Sequence, residues 1–121
     1  DGARPFVTSA LIDTLCLALK TNLAAAPALR VTDALWRGGA GFVQEATPRD
    51  GLYLAQTPQA FDFEVILSAY AQLSTPAADD VEVARRAGVS VKIIEGEHNN
   101  IKITEPNDFA RALTILNGYK S

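Results

Sequence analysis

The sequence predicts an α/β fold. Three observations carry that prediction. Segments that read as strands alternate with segments that read as helices. Their order is helix, strand, hairpin, strand, helix, short helix, strand, helix. The chain of 121 residues is 48% apolar with a net charge of −3, which fits one globular core. There is no internal repeat and no low-complexity segment.

Composition also excludes function classes. There is no basic excess, so nucleic acid is not expected as a partner. No apolar run approaches the roughly 20 residues that a membrane span needs. No signal peptide is visible. The single cysteine, Cys16, cannot form an internal disulfide, and a reducing, cytoplasmic setting follows. Cys16 lies in an apolar helical pattern, where a small buried residue is expected. The chain has no methionine and opens on Asp1-Gly2-Ala3-Arg4-Pro5. That reads as a turn after a strand, with no strand before it. A piece of a longer protein is expected.

The first helix runs from Phe6 to about Asn22. Leu11, Leu15, Ala18 and Leu19 recur on one face, and Thr8 or Ser9 caps it. Leu23 to Leu29 is small and apolar, and Pro27 with Leu29-Arg30-Val31-Thr32 favours an extended strand. Residues 31–36 and 42–47 flank Arg37-Gly38-Gly39-Ala40-Gly41, which makes a hairpin. A phosphate-cradling role for those glycines lacks the lysine and helix start it needs. Trp36 and Phe42 beside the turn suit an exposed contact arm, or packing on the chain's own body.

Pro48-Arg49-Asp50-Gly51 is a second turn, and Leu52 to Gln56 is a strand. Thr57-Pro58-Gln59 admits a helix from about Phe61 to Leu73, with Phe61, Val65 and Leu67-Ser68-Ala69 facing inward. Ala77 to Ala87 is a short helix. Asp79 and Asp80 stand at its start and Arg85 and Arg86 near its end, so capping and the helix dipole suffice for the acids. Gly88 ends it. Val89 to Glu95 is a strand in which Val89, Val91 and Ile93 alternate with Ser90 and Lys92. His98, the only histidine, is expected on a surface loop rather than at a metal. Asn99 to Asp108 runs through a short strand-like piece into the last helix, from Phe109 to about Leu116. Thr104 is its N-cap and Pro106 lies in its first turn. Lys102 stands between two β-branched apolar residues, and reads as a solvated lysine or a working one.

Four motifs then occur in one order: Asp1-Gly2-Ala3-Arg4-Pro5; Gln56-Thr57-Pro58-Gln59 with Phe61; Ala78-Asp79-Asp80; and Asn100-Ile101-Lys102-Ile103-Thr104 with Pro106 and Asp108. Together they resemble the C-terminal half of the 2-C-methyl-D-erythritol 4-phosphate cytidylyltransferase family, over essentially the whole chain. The Ala-rich, Arg-Arg-Ala-Gly style is also similar to the cytidylyltransferase part of bifunctional enzymes that carry a cyclodiphosphate synthase domain.

The resemblance implies the C-terminal part of a Rossmann-like nucleotidyltransferase fold with a projecting hairpin arm, at about residues 30–56. It implies cytidylyl transfer from CTP to methylerythritol phosphate, with a divalent cation, Mg2+, as cofactor. It implies Asp1 and Lys102 as catalytic residues, with Asp1 also at the metal. It implies Arg4, Arg49, Thr57 and Asp79 as substrate-binding residues, and a homodimer joined through the arm. The family's nucleotide-binding half is not in these residues, so the chain alone is expected to be inactive. Ala34 and Ala78 stand where the family often has threonine, and Thr32 and Thr75 are the nearby hydroxyls that could compensate. Two other readings remain: a non-enzymatic dimerisation or binding module, and a nucleotidyltransferase acting on another sugar or polyol phosphate.

Overall fold

The computed structural model describes residues 2–120. A central strand, β1 (Ala24–Arg30), organises the body. It is flanked on one side by the parallel strand β6 (Lys92–Glu95), in the register Ala25 to Lys92 through Ala28 to Glu95. On the other side run two short antiparallel strands, β4 (Tyr53–Ala55) and β5 (Ala60–Phe61). They form one interrupted line: Ala28 pairs Ala55 and Ala25 pairs Ala60, with residues 56–59 bulging out between them. Proline in a paired strand sacrifices a ladder donor. Here Pro27 lies opposite that interruption and still accepts from the Gln56 N–H at 2.9 Å.

The alanines of β1 let neighbours approach closely. Ala24 and Ala25 are fully buried, and so is Pro27. Helix α1 (Ser9–Ala18) lays Leu11 and Leu15 on Ala25 and Ile94. Its N-cap is Thr8, whose hydroxyl accepts from the Leu11 N–H at 3.1 Å. Helix α2 (Phe63–Ala71) is capped by Asp62 and α3 (Asp80–Arg86) by Asp79. The two helices pack together, with Ala69, Val83 and Ala84 buried.

The hairpin is a separate two-stranded sheet of β2 (Leu35–Gly39) and β3 (Phe42–Thr47). Its two-residue turn, Ala40-Gly41, has positive φ at both positions, 53° and 85°. That is the primed turn whose twist matches flanking strands. Trp36 is 68% exposed and Phe42 78%, so the arm projects from the body with its aromatics uncovered. The last helix, α4 (Pro106–Lys120), is longer than its apolar pattern predicts.

Several expectations shift. Cys16 is exposed, because Leu15 takes the inward position and the next residue turns about 100° away. Phe61 lies in β5, ahead of α2, and Leu67 is exposed. In β6 the buried residue is Ile94, while Ile93 is 48% exposed; the alternation has the opposite phase because α1 covers the Ile94 face. Residues 101–104 are not a strand. The Ile103 N–H ties them to the chain's start, donating to the Ala3 carbonyl at 2.7 Å. Thr104 is not the N-cap: α4 starts at Pro106, and both the N–H and the hydroxyl of Thr104 donate to Asp108.

Candidate anion-binding site

The site is built where three segments far apart in sequence meet: residues 3–4, 54–57 and 96–102. The loop after β6 is held by Gln56. Its Nε2 donates to the Glu97 carbonyl at 2.9 Å, and its Oε1 accepts from the Glu97 N–H at 3.1 Å. Gly96 is needed for this approach, since a Cβ there would run into the Gln56 amide. Asn100, fully buried, donates from Nδ2 to the Thr57 carbonyl at 2.8 Å. Arg4 closes the junction by donating to the Asn100 carbonyl at 2.6 Å and to the Ala55 carbonyl at 3.4 Å.

Beside this junction lies a cavity of about 330 Å³. Arg4, Lys102, Arg111 and His98 line it, together with Leu29, Leu54 and Asn100. No acidic side chain is among the described lining residues. Lys102 is exposed and, among the described residues, makes no hydrogen bond or ion pair. A cavity with clustered cations and no carboxylate among its described lining suits a phosphate-sized anion. Partial burial pulls the pKa of Arg4 below the ordinary guanidinium value, as desolvation disfavours a charged form. The N-terminus of α4 is not the anion site. Asp108 already accepts there from the N–H groups of Thr104 and Glu105, each at 3.0 Å. Those bonds hold the Asp108 carboxyl below its usual range, helped by its hydrogen bond from the Thr104 hydroxyl and by Arg111.

The residues singled out in the sequence divide between places. Lys102 and Arg4 come together at the cavity. Thr57 borders it through its neighbour Gln56 and through the bond its carbonyl accepts from Asn100. Arg49 does not line this cavity. It stands at the foot of the arm, donating to the Thr32 carbonyl at 2.7 Å, and lines a second hollow with Arg30 and Tyr53. A third hollow, lined by Arg30, Tyr53, Leu29 and His98, adjoins both. Asp79 is not at the cavity either; its carboxylate accepts from the Glu82 N–H at 2.8 Å and caps α3. Asp1 lies outside the described residues. Thr75 is not a spare hydroxyl, because Arg86 donates to it at 3.1 Å.

Among the described residues, no group of three or more His, Cys, Asp or Glu side chains could hold a metal ion. Four residues of the junction and cavity were not foreseen there: Gln56, His98, Asn100 and Arg111. Arg111 follows Asp108 by three residues on α4, a spacing that puts both on one face. The buried amides had no local signal. Among the described residues, no helix is long and apolar enough to cross a membrane.

Comparison with known proteins agrees with this fold. A 2-C-methyl-D-erythritol 4-phosphate cytidylyltransferase from Roseobacter denitrificans is 55% identical over 116 residues, covering 96% of this chain and 52% of that protein. A bifunctional enzyme IspD/IspF from Rhodobacter capsulatus is 56% identical over 116 residues, covering 96% of this chain and 31% of that one. The crystal structure of the cytidylyltransferase from Thermus thermophilus superposes with a TM-score of 0.87 at 33% identity. That match covers 93% of this chain and 57% of that one. The chain therefore spans about half the length of the single-activity relatives it matches. The family model described as IspD, 2-C-methyl-D-erythritol 4-phosphate cytidylyltransferase, matches residues 1–118, and the chain belongs to that family.

Proposed function

We propose that these residues form the polyol-phosphate side of a cytidylyltransferase. In its full-length form it transfers a cytidylyl group from CTP to 2-C-methyl-D-erythritol 4-phosphate in isoprenoid biosynthesis. One observation carries the reading. Lys102, free of described partners, shares with Arg4 and Arg111 a cavity whose described lining holds no acid, in a chain belonging to this family. A phosphate oxygen of the acceptor attacks the α-phosphorus of CTP. The new P–O bond forms as the bond to the β-phosphate oxygen breaks, and pyrophosphate leaves. Such a reaction needs two anions held in line and their charge offset, with little covalent work by protein groups. Lys102 and Arg4 supply that neutralisation for the acceptor phosphate. Thr57 borders the same cavity, and Arg49 acts with the arm, which crosses to a second copy in a homodimer. Asp79 keeps its capping role and orients the loop before α3.

The nucleotide is held by a further half of the protein, as the twofold length of the single-activity relatives supports. A divalent cation would be held by Asp1 and the phosphates of CTP, where it would offset their charge. The described lining of the cavity is cationic and does not fit a metal, so no step is routed through one. The setting is cytoplasmic.

Pyrophosphate release tests the reading. The full-length protein should turn over CTP with methylerythritol phosphate, and the 121-residue chain should not. Turnover by the chain alone would overturn the division into halves. A full-length protein that ignores methylerythritol phosphate but uses another polyol phosphate would overturn the substrate.

A further inference from the structure

We propose that Gln56 and Asn100, which also line the cavity, are positioning residues that set the geometry of the anion site by holding the segments of Arg4 and Lys102 in place. The proposal rests on the reading that Arg4 and Lys102 hold a phosphate. Gln56 is 6% exposed and Asn100 is 0% exposed, and they are the two buried polar side chains among the described residues. Gln56 grips both backbone groups of Glu97, a residue 41 positions away. Asn100 is joined to Gln56 at 3.4 Å and to the Thr57 carbonyl at 2.8 Å, while its own carbonyl receives Arg4.

Two side-chain amides thus tie together the segments that carry Arg4, Thr57 and Lys102. Lys102 has no described partner to orient it. Its backbone is set from one side by buried Ile101 and Asn100, and from the other by the Ile103 bond to Ala3. Displacing Asn100 would therefore move the backbone before Lys102 and the carbonyl that holds Arg4 at the same time. The junction is not built for stability alone. Among the described residues, Asn100 Oδ1 and Arg4 Nε are both buried without a partner, and each such orphan is destabilising. An apolar core would avoid that cost. Retaining polar groups that fix direction is the pattern of a site whose local rules yield to function.

The test uses near-isosteric apolar variants, Gln56→Met and Asn100→Leu, which add no charge near the cations. Inorganic phosphate is titrated into the protein, and the NMR signals of the Arg4 Nε–H and the Lys102 side chain are followed. Phosphate affinity should fall about tenfold or more in each variant, since a displacement of an ångström at a site can cost up to about a hundredfold. Gly96→Ala, which pushes the Gln56 amide off the loop from outside, should reproduce the loss. It decides the matter if the Asn100 variant does not fold. In the full-length transferase the same variants should raise KM for the polyol phosphate and leave KM for CTP unmoved, a split that general destabilisation does not produce. Folded variants that bind phosphate as the parent does would overturn the positioning role. A parent full-length protein without cytidylyl transfer would overturn the functional reading alone, since the phosphate titration does not depend on turnover. A parent that shows no phosphate shifts would overturn both.

Discussion

Arg4 donates a 2.6 Å hydrogen bond to the carbonyl of Asn100, ninety-six residues further on. A half-buried charged donor on the carbonyl of a buried residue is among the stronger single bonds a fold can make. With Ile103 bonded to Ala3, it stitches the start of the chain to the loop that bears Lys102. The turn before α1 is therefore part of the site's frame as well as part of its lining.

Replacing Arg4 with alanine should therefore destabilise the fold as well as weaken anion binding. Losing a charge-assisted bond to the Asn100 carbonyl is expected to cost about 1–2 kcal/mol, discounted for partial exposure. Urea unfolding followed by circular dichroism measures it. A variant with unchanged midpoint would show that the bond contributes nothing and that Arg4 serves the ligand alone.

The local parts of this architecture were legible in the sequence. Thr8 and Asp79 sit at helix starts, the Ala40-Gly41 hairpin has its turn residues, and the Leu11–Leu15 face follows helical spacing. Lys102 and Arg4 were legible as candidates through motif order, not through geometry. What stayed hidden depends on partners distant in sequence. The phase of β6 is decided by where α1 lands, so Ile94 and not Ile93 is buried. Gln56 reads as the end of a strand and Asn100 as a polar turn residue until they meet across 44 positions. The short β5 is a two-residue pairing with β1, below the length at which alternation can be read.

Stability should have an acid limb and an alkaline limb with assigned residues. The hydrogen bond from the Ala78 N–H, then Arg86, holds Glu82 below its ordinary 4.5; the Thr104 and Glu105 N–H groups hold Asp108 below 3.8. A carboxyl depressed in the folded state binds its proton more readily when unfolded. Its contribution is present above those ordinary values and is lost as pH falls through the lower folded values. Tyr70, whose hydroxyl donates to Asp80, is raised above 10.0. Its contribution is present below pH 10.0 and is lost as pH rises through the higher folded value. Melting temperatures across pH should fall at both ends, and Tyr70→Phe should flatten only the alkaline one. An unchanged alkaline fall in that variant would remove Tyr70 as its source.

The hairpin turn is open to improvement. Ala40 is the non-glycine residue that holds positive φ, at 53°, among the described residues, and side chains other than asparagine and glycine resist that region. Ala40→Asn would restore the favoured Asn-Gly pair. It should stabilise the arm by about 0.5–1 kcal/mol, while Gly41→Ala, at φ 85°, should destabilise it by a similar amount. Hydrogen-exchange protection of the β2 and β3 amides reads both. Equal protection in the two variants would refute the turn assignment.

If the arm joins two copies, removing its aromatics should leave monomers. Trp36 and Phe42 are exposed at 68% and 78%, Phe42 directly after the turn and Trp36 opposite Ala46 further down the hairpin. Buried aromatics dominate many interfaces while contributing little to a fold they do not touch. The double variant Trp36→Ser, Phe42→Ser should elute from gel filtration at half the mass of the parent, with the melting of the body unchanged. A parent that is itself monomeric would sink the homodimer.

Lys102→Ala separates the working lysine from the solvated one. Exposed, and with no described partner, Lys102 contributes to the fold only through its chain, and surface substitutions of that kind move stability within about ±0.5 kcal/mol. In the full-length transferase its removal should raise KM for the polyol phosphate by about tenfold or more, because a charge-assisted contact to phosphate is lost. Lys102→Arg should recover only part of that affinity. The guanidinium keeps the charge, but its planar fork needs a different approach from the compact ammonium. Steady-state kinetics with each substrate varied in turn, beside a melting curve, makes the comparison. Unchanged kinetics with a lowered melting temperature would return Lys102 to a structural role and leave Arg4 and Arg111 as the cations of the cavity.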